Sequence, residues 1–569
     1  MKALQHIFLA LLLTTLMGNA KTVEKTVLVV NADIVTMDPN NPSAEAMAFK
    51  GNRIIALGSE KDVREKIGEY QKYYNLKGQT IVPGFFESHD HMYLSSMTYA
   101  ITDVSPYTTP TLAEALEKIQ HTQPDKEGWI VAFGADKELY KEKEGPTRDK
   151  LDKLFPHTPV IVLHLSGHGG FANSAALKRA NVDENTPDPK GGYYEKDDKG
   201  RLTGYLSGQP ALFSVKNYPN PTPQTALLAA QDRAKKGVTT ASEFALMNIF
   251  VLEGLQSATS DPNFPVRVVG GLFSTIEDFE EVAPRVKHYE TDLFKIPFIK
   301  TWTDGSIQGG TGHLTQGYHE KSFGGGGAQG TQEHFNKQVL RMYELGFWPA
   351  IHANGDGAVD VALNAVEYAQ KSLPKEKTED IRPQVIHANY TRPEQIKRMK
   401  ALNVLPTFFP THIYYYGELH YQKTLGPVRA QRLNALGDAF REGLKASMHN
   451  DPPVTPVDPL LNMWIAVNRT TAEGRVVGKE QAITPYQALQ AYTINAAYQF
   501  GMEKDAGSLE VGKFSDFVVL DKNPLKVDKN EIRNIRIAAT VRGGLITYAD
   551  TPEYDRDAPP CSCTSHHKH

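Results

Sequence analysis

From about residue 83 to residue 502 the sequence alternates short apolar strands with amphipathic helical stretches, and this alternation restricts the fold more than any other feature. Strand–helix alternation over such a length is typical of a parallel β/α barrel. The predicted strands are Ile130–Phe133, Val160–Leu163, Thr239–Glu243, Val266–Leu272, Phe298–Thr301, Trp348–Ile351, Gln384–His387, Val404–Thr407 and Leu444–Met448. The predicted helices are Leu112–Gln120, Thr225–Lys236, Gln332–Glu344, Ala358–Lys371, Pro393–Leu402 and Pro485–Tyr498.

Two strand-rich segments flank this centre, at residues 21–82 and 503–550. We expect one β-sandwich formed from both chain ends; the alternative is two separate modules, although each is short to bury a core alone. The stretch from about 95 to 223 exceeds a simple connection and is interpreted as an inserted lobe. The predicted fold class is therefore α/β: a (β/α)8 TIM-like barrel over residues 83–502, with this β-sandwich and this lobe.

The extreme termini carry signals of their own. Residues 1–20 combine Lys2, an apolar run and the small residues Gly18 and Ala20, which is the pattern of a secretory signal peptide. An uncleaved anchor is the alternative interpretation. We expect a periplasmic or secreted protein whose flexible tail, residues 551–569, contains both cysteines of the chain, Cys561 and Cys563.

Composition excludes several classes of protein. The chain of 569 residues has 62 Lys+Arg against 66 Asp+Glu, so it lacks the basic charge that a nucleic-acid binder needs. Two terminal cysteines exclude a disulfide scaffold or a cysteine-based zinc module in the body. No later segment reaches roughly 18 uncharged apolar residues, so no membrane span is expected after signal cleavage.

Polar residues stand where several predicted strands end. His89 and His91 follow the first strand, and imidazoles two residues apart on extended chain point to the same side. Lys300, His352, His387 and Asp451 end or follow later strands, so the set belongs to strands one, four, five, six and eight. Because β/α barrels keep their active sites at the C-terminal ends of the strands, we expect these residues to form one site that binds a divalent ion.

These stretches resemble the amidohydrolase superfamily, and within it the YtcJ-like branch, also called the amidohydrolase 3 family. The similarity extends from about Val27 to Tyr548. The motifs that carry it, in chain order, are PGFFESHDH, SGHGGFANSAAL, IKTWTDGSIQGGTGHL, IHANGDGAVD, VIHANYTRPEQI, HNDPPVTPVDPL and AGSLEVGKFSDFVVLD.

The resemblance implies metal ligands at His89, His91, His352 and His387, and a catalytic base at Asp451. It implies one or two ions, with zinc expected from a ligand set without cysteine. Lys300 matches a lysine that is carbamylated in relatives to bridge two metals; the alternative is an ordinary lysine that supports the site.

The sequence departs from the family pattern at two places. Glu87 stands where an Asp usually precedes the first histidine, and His449-Asn450-Asp451 replaces a common Gly-Ser-Asp. Asn450 is predicted to donate a hydrogen bond to substrate. His449 is not counted among the ligands, because the set is complete without it.

Three further residues are candidates for substrate binding. His168 lies in the SGHGGFANSAAL motif, where it either faces substrate or stabilises a glycine-rich turn. Trp302 and His412 lie near predicted strand ends, where aromatic side chains either line a pocket or pack the barrel against its loops.

The predicted function is that of an exported, metal-dependent hydrolase that cleaves an amide or other C–N bond of a small molecule with metal-activated water. Asp451 takes the proton from that water and passes it to the leaving amine. Two alternatives remain: a metal-dependent esterase or lactonase on the same site, and a non-catalytic exported binding or regulatory protein. The oligomeric state stays open.

Overall fold

The computed structural model describes residues 25–551, apart from positions 191, 218 and 275–278. The predicted signal peptide and most of the predicted tail, including both cysteines, lie outside the described residues. At the centre is an eight-stranded sheet in which every neighbouring pair is parallel and the spatial order follows the chain. We call it the parallel sheet. Its strands are Phe85–Phe86, Val238–Leu246, Arg267–Phe273, Phe294–Trp302, Trp348–Ala353, Gln384–His387, Leu405–Phe408 and Ser447–Met448.

Helices follow most strands of the parallel sheet, as the alternation in the sequence predicts. The strand Val238–Leu246 is buried at every position, which is typical of a parallel strand covered on both faces. The helices after the second to eighth strands are Ile249–Thr259, Phe279–Val282, Gln332–Glu344, Asp356–Ser372, Pro393–Ala401, Thr411–Leu419, Gly426–Arg429, Leu436–Arg441, Pro459–Asn468, Pro485–Tyr492 and Ile494–Gln499. Pro223–Lys235 precedes the second strand, with Thr222 capping its first turn. The prediction of one helix over Pro485–Tyr498 is wrong in detail, because Thr493 interrupts it at φ −128° and ψ −99°.

The parallel sheet curls so that its first and last strands approach each other. Within the described residues these two strands form no ladder, so the pairings show a curled sheet and not a closed barrel. Glu87 Oε1 instead accepts a hydrogen bond of 2.5 Å from the backbone N–H of Asn450. The last strand is also shorter than predicted: only Ser447–Met448 of the expected Leu444–Met448 is paired.

Two smaller sheets contain the remaining N- and C-terminal strands. A four-stranded sheet has the order Arg53–Gly58, Ala46–Lys50, Thr26–Val30, Lys72–Asn75, beside the helix Glu60–Ile67. A six-stranded sheet has the order Leu545–Ala549, Ile537–Arg542, Phe517–Leu520, Thr80–Pro83, Asp33–Val35, Ser43–Ala44. Phe517–Leu520 pairs antiparallel with Thr80–Pro83, so both ends of the chain contribute to one sheet. One apolar cluster includes Val29 and Phe49 from the first sheet and Ile81 and Phe517 from the second.

A mixed six-stranded sheet occupies the stretch that the sequence predicts to be inserted. Its order is Tyr193–Lys196, Leu202–Ser207, Gly169–Ala172, Val160–His164, Ile130–Ala135, Thr102–Asp103, and its helices are Leu112–Gln120, Arg148–Leu154, Ser174–Arg179 and Gln209–Val215. We call residues 102–215 the lobe. Tyr107 Oη donates to Val454 O at 2.9 Å, and Tyr416 Oη donates to Asp136 Oδ2 at 3.0 Å. These contacts place the lobe over the loops that follow the seventh and eighth strands.

Among residues 25–551, outside the gaps, no helix combines the length and the apolar character required to cross a membrane.

Candidate metal centre

The two histidines of the first motif, His89 and His91, both lie close to one carboxylate oxygen of Asp451. His89 Nε2 lies 3.4 Å and His91 Nε2 3.6 Å from Asp451 Oδ1. His89 is buried, whereas the side chain of His91 is 25% exposed. The donor atoms of these three residues all lie within 4.8 Å of one another, a spacing that one ion can span.

Glu243 holds His91 from the opposite side. Glu243 Oε1 lies 3.8 Å from His91 Nδ1, and its Oε2 accepts the backbone N–H groups of Tyr93 and Leu94 at 2.7 and 2.8 Å. Burial lowers the pKa of His91, but Glu243 and Asp451 together raise it above its usual value. A carboxylate beside one ring nitrogen favours the proton there and leaves the other nitrogen free to bind a metal. His91 Nδ1 makes no hydrogen bond within the described residues, so Glu243 acts on His91 through its charge at this distance.

A second pair of histidines lies at the ends of the fifth and sixth strands. His352 Nδ1 is 2.9 Å from His387 Nε2, and His352 Nε2 is 2.9 Å from Gly305 O. We assign the His352 proton to Nε2, where Gly305 O accepts it, so that Nδ1 keeps its lone pair. Two nitrogens bound to one tetrahedral zinc stand about 3.3 Å apart, from Zn–N bonds of about 2.0 Å. The observed separation is close to that arrangement.

Asp451 lies between the two pairs. Its Oδ2 is 3.8 Å from His387 Nδ1, while its Oδ1 faces His89 and His91. The residue follows the last strand with φ of 54°, a left-handed backbone that turns its side chain toward the strand ends. Burial raises the pKa of Asp451 to about 6, although His91 and Lys300 oppose the rise. Above pH 6 the carboxylate can therefore accept a proton.

Lys300 lies on the fourth strand and is buried against the first pair of histidines. Its Nζ is 3.4 Å from His89 Nε2. Burial lowers the pKa of Lys300 to about 7, against the opposing effect of Asp451. A large fraction of this amine is thus neutral at neutral pH, and the neutral form is the one that reacts with carbon dioxide.

His449 also belongs to this cluster, which the sequence did not predict. His387, His449 and Asp451 form a second group whose donor atoms lie within 4.8 Å of one another. The centroid of the His449 ring lies 5.0 Å from that of His387 and 5.3 Å from that of His89. His449, which the motifs leave out of the ligand set, therefore lies within reach of two candidate ligands, His387 and Asp451.

The chemistry of this donor set fits a divalent transition-metal ion. Within the described residues His89 Nδ1, His387 Nδ1, both nitrogens of His449 and Asp451 Oδ1 are buried without a hydrogen bond. Buried polar atoms ordinarily have partners, and imidazole and carboxylate without thiolate suit zinc or a similar ion. We refer to His89, His91, His352, His387, His449 and Asp451 as the ligand cluster.

A buried ion pair fixes the loop that carries the first histidines. Arg233 donates to both carboxylate oxygens of Asp90, from Nε at 3.0 Å and from Nη2 at 2.8 Å. Asp90 stands between His89 and His91, and Arg233 lies on the helix before the second strand. This bidentate pair ties the loop to that helix.

The predicted substrate residues are dispersed around the cluster. His168 is exposed on the lobe, and Trp302 is half-buried at the end of the fourth strand with its ring stacked on Phe273 at 4.6 Å. His412 is buried, with Nδ1 3.2 Å from His420 Nε2, and it contacts Phe409 and not the ligand cluster directly. Asn450 is buried, and its Oδ1 accepts from Tyr492 Oη at 3.0 Å. The structure does not bring Asn450 or His412 among the ligands.

Comparison with known proteins gives the family. The model of the amidohydrolase family matches residues 72–548. The N-substituted formamide deformylase of Arthrobacter pascens is 27% identical, over 92% of this chain and 98% of its own. The protein YtcJ of Bacillus subtilis (strain 168) is 28% identical, over 90% of this chain and 98% of its own. A metal-dependent hydrolase from Pyrococcus horikoshii OT3 superposes with a TM-score of 0.71 at 23% identity, over 89% of this chain and 99% of its own.

The fold is that of a hydrolase family built on a curled parallel sheet, and the donor atoms of the ligand cluster suit a divalent metal ion. The chain belongs to the amidohydrolase family, and its reaction is hydrolysis at a carbon–nitrogen bond. The resemblance read from the motifs is thereby confirmed.

Proposed function

We propose that this enzyme cleaves an amide or other non-peptide C–N bond of a small molecule, with Asp451 as the group that accepts and returns the proton. The observation that carries the proposal is the position of Asp451, whose two oxygens face the imidazoles of three histidines at 3.4–3.8 Å. A carboxylate among metal ligands is close both to the attacking water and to the leaving group.

Each residue has a defined part in this reaction. His89, His91, His352 and His387 would hold a zinc ion, or two, and a carbamylated Lys300 would complete a two-ion site. When bound, the metal supplies Lewis acidity that polarises the scissile carbonyl and acidifies the water. Asp451 takes the proton from the water and passes it to the departing nitrogen. Glu243 keeps His91 in its binding orientation.

The relative from Arthrobacter pascens supports N-substituted formamides as the first substrate class to test. The lobe contacts the loops beyond the seventh and eighth strands, which limits the space above the ligand cluster. We infer a small substrate from this arrangement, and His168 and Trp302 stay candidates for contacting it.

The experiment combines metal analysis with a substrate panel. Purified enzyme is assayed by elemental analysis and against N-substituted formamides, the matching acetamides, and esters and lactones of similar size. We expect stoichiometric zinc and faster turnover of the amides. His89→Ala and His352→Ala should lose metal and activity together, whereas the exposed His334→Ala is the matched control.

Three outcomes would contradict parts of the proposal. Faster turnover of esters or lactones than of amides would show that the enzyme is an esterase or lactonase. A metal-loaded protein that hydrolyses nothing in the panel would favour a binding or regulatory role. Full metal occupancy in a His89/His91 double variant would refute the ligand assignment.

Export and the finer architecture are also part of what we propose. We infer that the enzyme is exported and begins near Lys21, because residues 1–20 have the composition of a signal peptide. N-terminal sequencing of exported material tests this, and an intact Met1 on cytoplasmic protein would contradict it.

The contact between Glu87 and Asn450 supports closure of the parallel sheet into a barrel, and the apolar cluster common to the two smaller sheets supports a β-sandwich.

A further inference from the structure

His449 is a fully buried histidine with no hydrogen-bond partner for either ring nitrogen among the described residues. Leaving a buried polar group unpaired costs about 1–3 kcal/mol, so a histidine kept only for packing would be better replaced by an apolar residue. A histidine kept for structural hydrogen bonds would have a partner. Neither role accounts for His449.

The backbone holds His449 on the inner side of the last strand. Its N–H donates to Phe408 O at 3.0 Å, and its carbonyl accepts from Asn462 Nδ2 at 2.8 Å. The ring packs on Phe409 at 4.5 Å with 33° between the planes. Both backbone groups and one ring face are therefore fixed, which preorganises the imidazole for a ligand.

The neighbours of His449 are metal-binding groups. His387 Nδ1 lacks a hydrogen bond and lies 3.8 Å from Asp451 Oδ2, on the opposite side of its ring from His352. Donor atoms of His387, His449 and Asp451 lie within 4.8 Å of one another, as do those of His89, His91 and Asp451. Asp451 belongs to both groups, and its two oxygens face different histidines.

We propose that His449 is a metal ligand, and that with His387 and Asp451 it forms a second subsite for a divalent transition-metal ion beside the subsite of His89 and His91. The inference rests on the proposed function for the presence of metal, and it adds a histidine that the family's ligand set does not include. Asp451 is common to both groups of donor atoms, so it would lie between the two subsites.

The test is a cobalt(II) titration of chelator-treated full-length enzyme, read by the visible absorption of bound cobalt. We expect two equivalents in the unmodified enzyme. In His449→Gln and His449→Phe one equivalent should remain tight, and the second should weaken by a factor on the order of 100 or more, beyond the 10–100-fold typical of residues that only support ligands. His412→Gln is the matched control, because it alters another buried histidine that contacts Phe409 but lies in neither metal-binding group.

Unchanged binding of both equivalents in the His449 variants would overturn the proposal, as would a single equivalent that those variants leave intact. Should they fail to fold, an anomalous-difference map of the cobalt-loaded unmodified enzyme decides: a peak within about 2.3 Å of a His449 nitrogen supports the assignment, and its absence overturns it. Both readouts are independent of turnover, so an enzyme that binds cobalt as expected but cleaves no C–N bond would contradict only the proposed function.

Discussion

Glu87 Oε1 accepts a hydrogen bond of 2.5 Å from the backbone N–H of Asn450, and this bond joins the first and last strands of the parallel sheet. Asn450 stands between His449 and Asp451, so the bond fixes the turn that carries two members of the ligand cluster. Burial is the main reason that the pKa of Glu87 lies well above its usual range. Burial therefore favours the neutral form of Glu87.

We expect Glu87→Gln to leave the free energy of unfolding within about 0.5 kcal/mol of its original value, because a neutral amide keeps the acceptor. Glu87→Ala leaves the Asn450 N–H without its partner and should cost about 1–3 kcal/mol. Urea unfolding measures both. Equal destabilisation by the two substitutions would show that Glu87 is ionised.

Asp451→Asn tests the proton acceptor. The amide keeps the shape of the side chain and one oxygen for a metal, but it cannot take a proton. At saturating metal we expect kcat to fall by a factor on the order of 10² or more. Hydrolysis at the original rate would refute the role of Asp451, whereas complete loss of metal would make it chiefly a ligand.

Glu243→Gln tests the orientation of His91. A neutral amide no longer favours the proton on His91 Nδ1, so we expect metal affinity to fall about 10–100-fold. Competition with a chelator measures the affinity. Glu253→Gln, in the exposed part of the next helix, should change nothing. Retention of full affinity in Glu243→Gln would leave Glu243 with a structural role, as acceptor of the backbone N–H groups of Tyr93, Leu94 and Ala245.

Lys300→Met in the metal-free enzyme should raise stability in a pH-dependent way. With a pKa of about 7 in the folded state and about 10.4 when unfolded, Lys300 binds fewer protons folded than unfolded between those values. Its cost is therefore greatest below pH 7, where the charge is buried, and falls as the pH rises toward 10.4. The gain in the melting temperature should shrink over the same interval.

Lys295→Met, on the same strand but exposed, is the control for Lys300→Met. A gain that does not depend on pH would mean that the pKa of Lys300 is the same in the folded and the unfolded states. In the metal-loaded enzyme, a high-resolution map should show Lys300 carbamylated, and an unmodified amine turned away from the metal would reject Lys300 as a bridge between two ions.

The sequence predicted the residues that follow a simple rule and missed those that depend on contacts across the fold. His352, His387 and Lys300 stand at the C-terminal ends of predicted strands, and the structure has them there. Glu243 ends a predicted strand in the same way, so the rule could have found it. Arg233 lies on a helix, and its partner Asp90 is 143 residues away, which no local pattern reveals.

The replacement of the common Gly-Ser-Asp by His449-Asn450-Asp451 was harder to interpret from the sequence. His449 and Asp451 both reach the ligand cluster, while Asn450 points toward Tyr492. Asp451 has a φ of 54°, so this placement does not follow from the alternation of side chains along an extended strand. Neither the left-handed turn at Asp451 nor the bond between Tyr492 and Asn450 is indicated by the local sequence. The side chain of Asn450 is oriented by the Tyr492 hydroxyl. The position of that hydroxyl depends on how the helix Pro485–Tyr492 packs against the last strand.

The distance along the chain between His89 and Asp451 has a consequence for biosynthesis. The two residues meet at 3.4 Å, yet nearly the whole central region separates them in sequence. A chain still leaving the ribosome, or threading through a translocation pore, lacks part of each ion-binding group until its final third emerges. An ion that needs either complete group can therefore be bound only after that last part of the chain has emerged and folded against the first histidines.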